Sequence, residues 1–358
     1  MTDLKNIVQK ISTTERLSRE DGLRLLDCSD ILAMGQLARK VKKTKTGEHV
    51  FFNVNCHINL TNICIARCSF CAFSRDRQEQ DSYTMTIDQV LTQVQKASDS
   101  GITEVHMVSG LHPDRTYDYY LDIVTQLHNA FPAIHIKAFT PVEIQHFSNL
   151  SEQPIEAVLD QLKQAGLQSL PGGGAEVLSE RVRKELCPNK ADAAQWLSIM
   201  KTAHRLGLRS NATLLFGHLE TNTEIIDHLL ALRELQDETG GFQTFIPLPF
   251  HPENTGLQNF SRPTAFEMLK LFSLARLMLD NFDHIKAYWV MTGLKVAQLA
   301  LYFGADDIDG TVTEEKITHA AGAETAQGLT RQELIEIIRQ TGYTPVQRDT
   351  LYEVVEKY

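Results

Sequence analysis

The stretch VNCHINLTNICIARCSFCAF, residues 54–73, places a short β-rich run directly before a loop that carries three cysteines. The run VNCHINL (54–60) predicts a strand because it is rich in β-branched and apolar residues. The loop holds Cys64, Cys68 and Cys71 at the spacing C-x3-C-x2-C. An odd number of clustered thiols leaves one without a disulfide partner. The chemistry of this loop therefore decides how the rest of the chain is interpreted.

The composition is that of a globular protein with a large core. The chain has 358 residues, of which 42% are hydrophobic and 22% are charged. Its formal net charge of −10 argues against a general nucleic-acid binder, which would present a basic face. No apolar run approaches the roughly 20 residues that span a bilayer, and the polar N-terminus does not resemble a signal peptide. We therefore expect a cytoplasmic protein with no nucleic-acid or membrane partner.

Six cysteines occur in the chain, and thiols stay reduced in the cytoplasm. Cys28, Cys56 and Cys187 are scattered and are interpreted as buried small hydrophobes. The clustered three therefore indicate a metal or redox site instead of a structural disulfide. Three thiolates can hold three irons of a 4Fe-4S cluster, whose fourth iron then keeps an open coordination position. The alternative is a structural zinc site, for which His57 is the nearby candidate for a fourth ligand.

Short β-rich runs alternate with longer helical stretches along most of the chain. The predicted strands are 54–60, 104–110, 134–139, 169–173, 210–217, 242–250, 285–291 and 306–310. The predicted helices between them include 86–100, 118–131, 193–207, 223–241 and 265–280. This alternation indicates βαβ units and a parallel sheet. Eight such units in a row favour an α/β fold of the closed (β/α)8 TIM-type barrel class over an open sheet.

The barrel is expected to span residues 50–324. Residues 1–49 are predicted to form an N-terminal helical extension, and residues 325–358 a C-terminal helical tail packed on the barrel. Active sites of such barrels lie at the carboxyl ends of the strands, on the loops that lead into the helices. The cysteine loop follows the first barrel strand, so it is expected on the face where the chemistry takes place.

With an aromatic residue, Phe70, directly before the last cysteine, the loop resembles the signature of radical SAM enzymes. The resemblance implies a 4Fe-4S cluster on the three cysteines. It also implies that the open iron binds S-adenosylmethionine (SAM), which the reduced cluster cleaves to a deoxyadenosyl radical. It further implies that Phe70 lies near the adenine and that Ser109 and Gly110 contact the methionyl amino group. The usual form of that second motif is Gly-Gly, so Ser109 is a departure from it.

A narrower resemblance covers almost the whole chain. The segments that carry it are HINLTNICIARCSFCAFSRD, SGLHPD, IHIKAFTPVEI, LPGGGAEVLSERVRKELCP, SNATLLFGHLET, ELQDETGGFQTFIPLPFHPENT, YWVMTG and GADDIDGT. These are similar to the aminodeoxyfutalosine synthases of the futalosine route to menaquinone. They are also similar to the related cyclic dehypoxanthinyl futalosine synthases and to deazaflavin-forming enzymes. The segments FIPLPFHPENT and RVRKELCP favour the first of these families.

The resemblance implies a specific reaction. The deoxyadenosyl radical adds to the enol ether of 3-[(1-carboxyvinyl)oxy]benzoate, a dicarboxylate derived from chorismate. The adduct rearranges and loses its carboxylate to give 6-amino-6-deoxyfutalosine. SAM is then a co-substrate of a transferase, and an electron donor such as flavodoxin or ferredoxin is the implied partner. The alternatives are a relative that abstracts hydrogen and cyclises a futalosine-type nucleoside, and a non-enzymatic iron–sulfur or zinc protein with a redox or relay function.

In addition to Phe70, Ser109 and Gly110, residues at the predicted strand ends are candidates for holding SAM. The glycines of GGGAE allow close backbone approach to a ligand. Glu176 is interpreted as a ligand of the SAM amino group or ribose, or else as a carboxylate in the first turn of a helix. Thr140 and Glu143 follow the third strand on the same face, where helix capping is the alternative.

The two carboxylates of the implied substrate require cationic or amide donors in the barrel mouth. Arg75 is one candidate, with an exposed ion pair as the alternative. Lys137 lies in the third strand with the same parity as His135, and burial of an unpaired lysine is costly, so a functional role is expected. His218 and His251 follow the fifth and sixth strands, where histidines are candidates for proton transfer. The predicted catalytic or substrate residues are Asn62, Arg75, Lys137, Arg183, Asn211, Thr213, His218 and His251.

Overall fold

The structure, a computed structural model, describes residues 4–358. Its strands are β1 His49–Asn53, β2 Asn55–Asn59, β3 Glu104–Val108, β4 His135–Ala138, β5 Ser169–Leu170, β6 Arg209–Phe216, β7 Phe242–Pro249, β8 His284–Ile285, β9 Asp307–Gly310, β10 Thr344–Arg348 and β11 Val354–Lys357. Its helices are α1 Lys5–Ser12, α2 Arg19–Asp27, α3 Ile31–Thr46, α4 Ile87–Ser98, α5 Tyr117–Ala130, α6 Pro141–Ser151, α7 Ile155–Ala165, α8 Glu180–Leu186, α9 Ala193–Arg205, α10 Asn222–Thr239, α11 Ala265–Met278, α12 Trp289–Thr292, α13 Leu294–Ala300, α14 Ile317–Ala320 and α15 Arg331–Arg339.

Seven parallel strands form the central sheet, in the order β2-β3-β4-β5-β6-β7-β8. Each strand pairs with the next one in the chain, as expected for successive βα units. Single bridges join the two edges of this sheet to the segment around β9. One bridge pairs Lys286 with Asp307, and the other pairs Cys56 with Thr313. The predicted α/β barrel is confirmed, although its eighth strand is joined to the others by bridges and not by a continuous ladder.

The strand β9 belongs to a second sheet, in the order β11-β10-β1-β9. The strand β1 pairs in parallel with β9 and β10, and β11 pairs antiparallel with β10. The prediction of a wholly helical tail over residues 325–358 is therefore wrong, because two strands follow α15. Burial explains the difference. Val346 is fully buried and Arg348 lies 2.6 Å from Asp307, so β10 is fixed against the barrel.

The N-terminal segment agrees with the predicted helical extension over residues 1–49, of which residues 1–3 lie outside the described part. The helices α1, α2 and α3 occupy it, and β1 begins at His49. Of the scattered cysteines, Cys56 and Cys187 are buried as predicted, whereas Cys28 is only partly buried. Cys28 lies at the C-cap of α2, where the chain turns, and this position leaves part of its side chain exposed.

Two barrel strands are shorter than the sequence suggested. The predicted strand 169–173 contributes only β5, because the chain leaves the sheet at the glycines that follow. The predicted strand 285–291 begins as β8 and then turns into α12. Trp289 of that helix is fully buried and donates its indole N–H to Gly310 O at 2.8 Å. This contact ties the loop after β8 to the end of β9.

Buried ion pairs occupy the amino-terminal end of the barrel. Glu104, the first residue of β3, lies 2.8 Å from Lys137 of β4, and both side chains are 2% exposed. Asp306 lies 2.6 Å from Arg276, and both are fully buried. These pairs fill one end of the barrel, so open space remains at the carboxyl ends of the strands.

Among the described residues, none of the helices combines the length and the apolar character that a bilayer span requires.

Candidate active site

A cavity of about 300 Å³ lies at the carboxyl ends of the barrel strands, and the three motif cysteines line it. The loops after β2, β3, β4 and β5 border the cavity, together with the segment after β9. Ile246, Leu248 and Met291 supply part of its apolar wall. The cysteine loop thus lies on the face that its position after the first barrel strand predicted.

Main-chain hydrogen bonds fold the cysteine loop. Cys71 N donates to Cys68 O at 3.1 Å, and Ser69 N donates to Leu186 O at 2.9 Å. Arg67 adopts a left-handed backbone with φ of 45°, which turns the chain between the first two cysteines. All cysteines are free thiols within the described residues, so those of the motif are available as ligands.

Among the described residues, His57 is not grouped with the three motif thiols as a metal site. Burial raises the pKa of Cys68 to about 12, and a bound metal would supply the positive charge that a thiolate needs there. Within residues 4–358, no three His, Cys, Asp or Glu side chains are placed to hold one metal ion. His57, the candidate zinc ligand, instead stacks on His106.

Ser109 and Gly110 follow β3 beside the cysteine loop. Gly110 N donates to Thr61 O at 2.9 Å, and a Cβ at Gly110 would lie 2.5 Å from Ile63 O. Only glycine fits so close to the neighbouring backbone. Ser109 contacts Glu143 through its main chain, since its backbone N–H donates to Glu143 Oε1 at 2.8 Å. Serine replaces the first glycine of the usual Gly-Gly pair, but the second position, Gly110, is still glycine. The close approach of its backbone to the cysteine loop is therefore preserved.

Glu143 connects a helix cap to the cavity wall. Its Oε2 accepts hydrogen bonds from Thr140 N at 2.8 Å and from Thr140 Oγ1 at 2.9 Å, and these belong to the capping box of α6. Both residues also line the cavity. Helix capping, the alternative for this pair, is therefore observed, and their contact with the cofactor stays a prediction. Burial raises the pKa of Glu143 to about 7, although its hydrogen bonds act in the opposite direction.

Replacing Glu143 by glutamine is expected to change how stability depends on pH. Because folding raises the pKa of Glu143 from 4.5 to about 7, its contribution to stability falls as the pH rises through that window. Between about pH 5 and about pH 8, the free energy of unfolding of the wild-type protein should therefore fall by up to about 3 kcal/mol more than that of Glu143→Gln. Urea unfolding at both pH values measures this difference. An equal loss in the two proteins would contradict the expected titration.

Glu176 shares the cavity with a lysine that the sequence analysis did not single out. Glu176 has a left-handed φ of 45°, and its Oε1 lies 2.8 Å from Lys190 Nζ. The same ammonium lies 4.9 Å from the centre of the Phe70 ring. Burial lowers the pKa of Lys190, but its interactions with Cys68 and Glu176 outweigh this effect and raise it well above its usual value. Lys190 is thus a stable cation between the cysteine loop and the predicted cofactor residues.

Two residues of β6 line the cavity among the predicted substrate residues. Thr213 Oγ1 donates to Gly172 O at 2.7 Å, and Asn211 lies two residues earlier on the same face of the strand. A Cβ at Gly172 would lie 2.7 Å from the main-chain carbonyl of Asn211. Glycine at this position therefore allows the loop after β5 to pass directly over β6.

Asn62 and Arg75 lie beside a separate cavity and do not line the main one. Asn62 Nδ2 donates to Asp81 O at 2.9 Å, and its Oδ1 accepts from Tyr83 N at 2.8 Å. Arg75 forms an ion pair with Asp81 at 2.8 Å, which is the alternative that the sequence left open. Both residues hold the chain segment that follows the cysteine loop, and their positions do not support direct contact with substrate.

Lys137 and Arg183 are buried, but neither lines the cavity. Lys137 points into the barrel as predicted, yet it is paired with Glu104, so the premise of an unpaired lysine is wrong. Arg183 Nη1 donates to Ala175 O at 2.5 Å and to Gly174 O at 3.2 Å. Arg183 therefore supports the GGGAE loop from behind.

Hydrogen bonds within the fold occupy both ring nitrogens of His218 and one of the two of His251, the residues predicted for proton transfer. His218 Nε2 donates to Leu215 O at 2.9 Å, and its Nδ1 accepts from Leu219 N at 2.6 Å. His251 Nε2 donates to Met291 O at 2.9 Å, and burial lowers the pKa of His251. Met291 lines the cavity, whereas neither histidine does. These positions do not support the predicted roles.

The cavity contains further titratable side chains that the sequence analysis did not propose as catalytic. They are His57, His106, Lys190, Tyr288, Asp309 and Glu315. All except Lys190 lie within a barrel strand or a few residues after one, and that position was the signal by which they could have been found. Lys190 has a weaker signal, since it follows the segment RVRKELCP at the start of a loop.

Comparison with known families gives two matches that together span most of the chain. The sequence profile of the radical SAM superfamily matches residues 58–232. The profile described as the CofH/MqnC C-terminal region matches residues 239–358.

Similar proteins extend over nearly the full chain. The aminodeoxyfutalosine synthase of Thermus thermophilus is 44% identical over 355 residues, which cover 98% of this chain and 95% of that protein. The aminodeoxyfutalosine synthase of Streptomyces coelicolor is 42% identical, covering 99% of this chain and 94% of that protein. A Methanopyrus kandleri protein named 5-amino-6-(D-ribitylamino)uracil–L-tyrosine 4-hydroxyphenyl transferase is also 42% identical, covering 90% and 88%.

Solved structures share the fold at low sequence identity. Methylornithine synthase superimposes with a TM-score of 0.74 at 18% identity, covering 95% of this chain and 97% of that chain. The FeFe-hydrogenase maturase of Carboxydothermus hydrogenoformans superimposes with a TM-score of 0.77 at 17% identity, covering 98% and 81%. At these identities the likeness shows the fold alone.

Proposed function

The chain belongs to the radical SAM superfamily, and on that premise we propose that it is an aminodeoxyfutalosine synthase. It transfers the deoxyadenosyl group of SAM to the enol ether of 3-[(1-carboxyvinyl)oxy]benzoate. Rearrangement and decarboxylation then give 6-amino-6-deoxyfutalosine for menaquinone biosynthesis. The observation that carries the proposal is the 44% identity to the Thermus thermophilus enzyme over nearly the whole length of both chains. The cysteine-lined cavity at the strand ends agrees with it.

Enzymes of this superfamily use a 4Fe-4S cluster and SAM, and the bound cluster supplies the electron that cleaves SAM. The residues proposed to hold the cluster are Cys64, Cys68 and Cys71. Glu176 is proposed to bind the SAM amino group or ribose, and Lys190, 2.8 Å from it, orients that carboxylate. Phe70 is proposed to lie near the adenine, and Gly110 admits the amino acid end of SAM because it carries no side chain. Flavodoxin or ferredoxin is the proposed electron donor.

The protein's own task in this reaction is to position two reactants and to exclude water. Ile246, Leu248 and Met291 line the cavity with apolar surface, which suits the aromatic ring and vinyl group of the proposed substrate. Exclusion of water also protects a reactive radical from side reactions. A radical that adds to a double bond needs no general base. The structural roles found for His218 and His251 are therefore compatible with the proposed reaction.

Product analysis with three substrate sets tests this proposal. Reconstituted, reduced protein is incubated anaerobically with SAM and either the aryl enol ether, dehypoxanthinyl futalosine, or L-tyrosine with 5-amino-6-(D-ribitylamino)uracil. We expect 6-amino-6-deoxyfutalosine from the first set and no product from the others. The third set is included because of the 42% identity to the Methanopyrus kandleri transferase. Product from the second or third set alone would contradict the proposal.

A non-enzymatic iron–sulfur relay or a zinc site makes a different prediction, which spectroscopy separates. If the cluster keeps an open iron for SAM, its EPR spectrum in the reduced state should change when SAM is added. An unchanged spectrum would favour a relay, and zinc without iron in the reconstituted protein would favour the structural site.

A cytoplasmic location stays a prediction.

A further inference from the structure

Two histidines form a stacked pair on adjacent barrel strands. His57 of β2 and His106 of β3 are register partners in the parallel sheet. Their ring centroids are 4.5 Å apart and their planes differ by 9°. Both side chains line the cavity that also contains the motif cysteines. Both imidazole rings therefore border the same space.

One member of the pair, His57, lacks a hydrogen bond that a buried histidine normally makes, whereas His106 is partly exposed. His57 is 7% exposed, and its Nε2 is buried without a partner among residues 4–358. The Nδ1 of His106 lies 4.0 Å from Glu104 Oε1, which is beyond hydrogen-bonding distance. Nearly all buried polar groups in folded proteins have a partner, so the unpartnered nitrogen of His57, in a residue that lines the cavity, points to a ligand site.

The carboxylates around the pair already have cationic partners. The ion pairs are Lys137–Glu104 at 2.8 Å, Lys286–Asp309 at 3.4 Å and His319–Glu315 at 2.9 Å. A hydrogen bond to Glu315 raises the pKa of His319 to about 9, so this pair is charged at neutral pH. The imidazoles are thus not needed to balance a carboxylate of the protein. Their N–H groups remain available to a carboxylate that comes from outside.

Burial lowers the pKa of both imidazoles, so both are neutral near pH 7 before an anion binds. A neutral imidazole still donates one N–H. An incoming carboxylate favours the protonated form of its neighbour, and the resulting charge-assisted hydrogen bond is stronger than a neutral one. The pair can therefore respond to an anionic ligand without carrying a permanent charge in the empty cavity.

We propose that His57 and His106 bind the ring carboxylate of the aryl enol ether, an inference that rests on the proposed function. Each histidine lies two residues before the end of its strand, about 7 Å below the strand ends where the cysteine loop begins. The vinyl group of the substrate must face the deoxyadenosyl carbon near that loop. The opposite end of the substrate, which carries the ring carboxylate, then reaches down to the histidines. Lys190, beside the cysteine loop, is paired with Glu176 and serves the upper part of the cavity.

Substitution of His57 tests the subsite. His57→Phe keeps a flat ring that can stack on His106 but removes both nitrogens, so the KM for the enol ether should rise about 10- to 100-fold. The EPR change on adding SAM should be retained, because that readout reports the cluster end of the cavity. His57→Gln keeps a hydrogen-bond donor and should recover part of the loss. His128→Phe makes the same chemical change on α5, outside the cavity, and should leave the KM unaltered.

A substrate analogue without the ring carboxylate, 2-phenoxyacrylate, identifies the group that is bound. The wild-type enzyme should lose affinity for the analogue by a similar factor, whereas His57→Phe should lose little more, because the interaction is already absent. If the loss of affinity caused by removing the ring carboxylate and the loss caused by His57→Phe are independent and add up, the subsite is wrong. An unchanged KM for the enol ether in His57→Phe would also overturn it.

The wild-type enzyme separates the two levels of the proposal. If it forms no 6-amino-6-deoxyfutalosine from the enol ether, the proposed function fails. If it forms the product and His57→Phe has the wild-type KM, only the histidine subsite fails. Iron content and far-UV circular dichroism identify a variant that does not fold, in which case His106→Phe and His57→Gln decide the question.

Discussion

Replacing Cys68 by alanine is expected to abolish cluster assembly and turnover together. Cys68 is 8% exposed, and the main-chain bond from Cys71 N to Cys68 O fixes its place in the loop. With only two thiolates left, a 4Fe-4S cluster would lose one of the three protein ligands that hold it. Iron and sulfide content after anaerobic reconstitution should fall to background, and so should product formation from SAM and the enol ether.

Cys187 provides a matched control for this experiment. It is also buried and lies close enough to influence the pKa of Cys68, but it does not line the cavity. Cys187→Ala likewise removes one buried sulfur from this part of the protein, and the variant should retain both iron and turnover. A Cys68→Ala protein that still binds a full cluster and forms product would show that the ligand assignment is wrong. Loss of the cluster in Cys187→Ala would also contradict the assignment, because it would show that the cluster depends on a cysteine outside the motif.

Replacing Lys137 by methionine is expected to destabilise the protein by about 3–5 kcal/mol, because it leaves the Glu104 carboxylate buried without its partner. The lysine ammonium is that partner at 2.8 Å, and both side chains are 2% exposed. Attraction to Lys137 helps keep the pKa of Glu104 well below its usual value, against the opposing effect of burial. Urea unfolding of the variant should show a lower midpoint.

Two further variants separate this structural role from the substrate-binding role that the sequence suggested. The double substitution Glu104→Leu with Lys137→Met removes both charges and should recover most of the stability. Arg19→Met disrupts an exposed pair with Asp227 and should shift the midpoint much less. If Lys137→Met keeps the wild-type midpoint but has a raised KM for the enol ether, Lys137 binds substrate and the structural interpretation is wrong.

The sequence predicted those parts of the site that depend on local order along the chain. The cysteine loop follows a strand, so its position at the carboxyl end of a parallel barrel follows from topology. Asn211 and Thr213 were selected by the same reasoning, because each lies in a strand that the alternation of elements identified, whereas Gly110 was assigned from the family resemblance. Glu143 was assigned together with its alternative, and the structure shows the capping box that this alternative required.

Residues whose roles depend on a distant partner were predicted less well. Strand parity correctly placed Lys137 inside the barrel, but its partner Glu104 lies on the neighbouring strand, and only the register of β3 and β4 brings them together. Arg183 was assigned to substrate, but it bonds to the carbonyls of the GGGAE loop. Burial against another element decides both cases, and the sequence pattern does not contain that information.

The two sheets show the same limit at the level of the fold. Most of the eight barrel strands were recognised because they are local apolar runs, and the acidic segment 306–310 was recognised from its place in the alternation of strands and helices. The strands β10 and β11 were missed because β10 is stabilised by pairing with β1, nearly 300 residues earlier in the chain, and β11 pairs in turn with β10. The histidine pair was overlooked for a related reason. His57 was considered only as a fourth zinc ligand, and its stacking partner on β3 becomes evident only when the strands are placed side by side.

The fate of the adenosyl carbon tests the central claim most directly. SAM labelled with ¹³C at the deoxyadenosyl methylene is incubated with the reduced protein and the aryl enol ether, and every labelled species is quantified by mass spectrometry. We predict that the label appears in 6-amino-6-deoxyfutalosine, with one SAM consumed for each product molecule. Recovery of the label only as free 5′-deoxyadenosine, with the enol ether unchanged, would contradict the assignment as an adenosyl-transferring radical SAM enzyme.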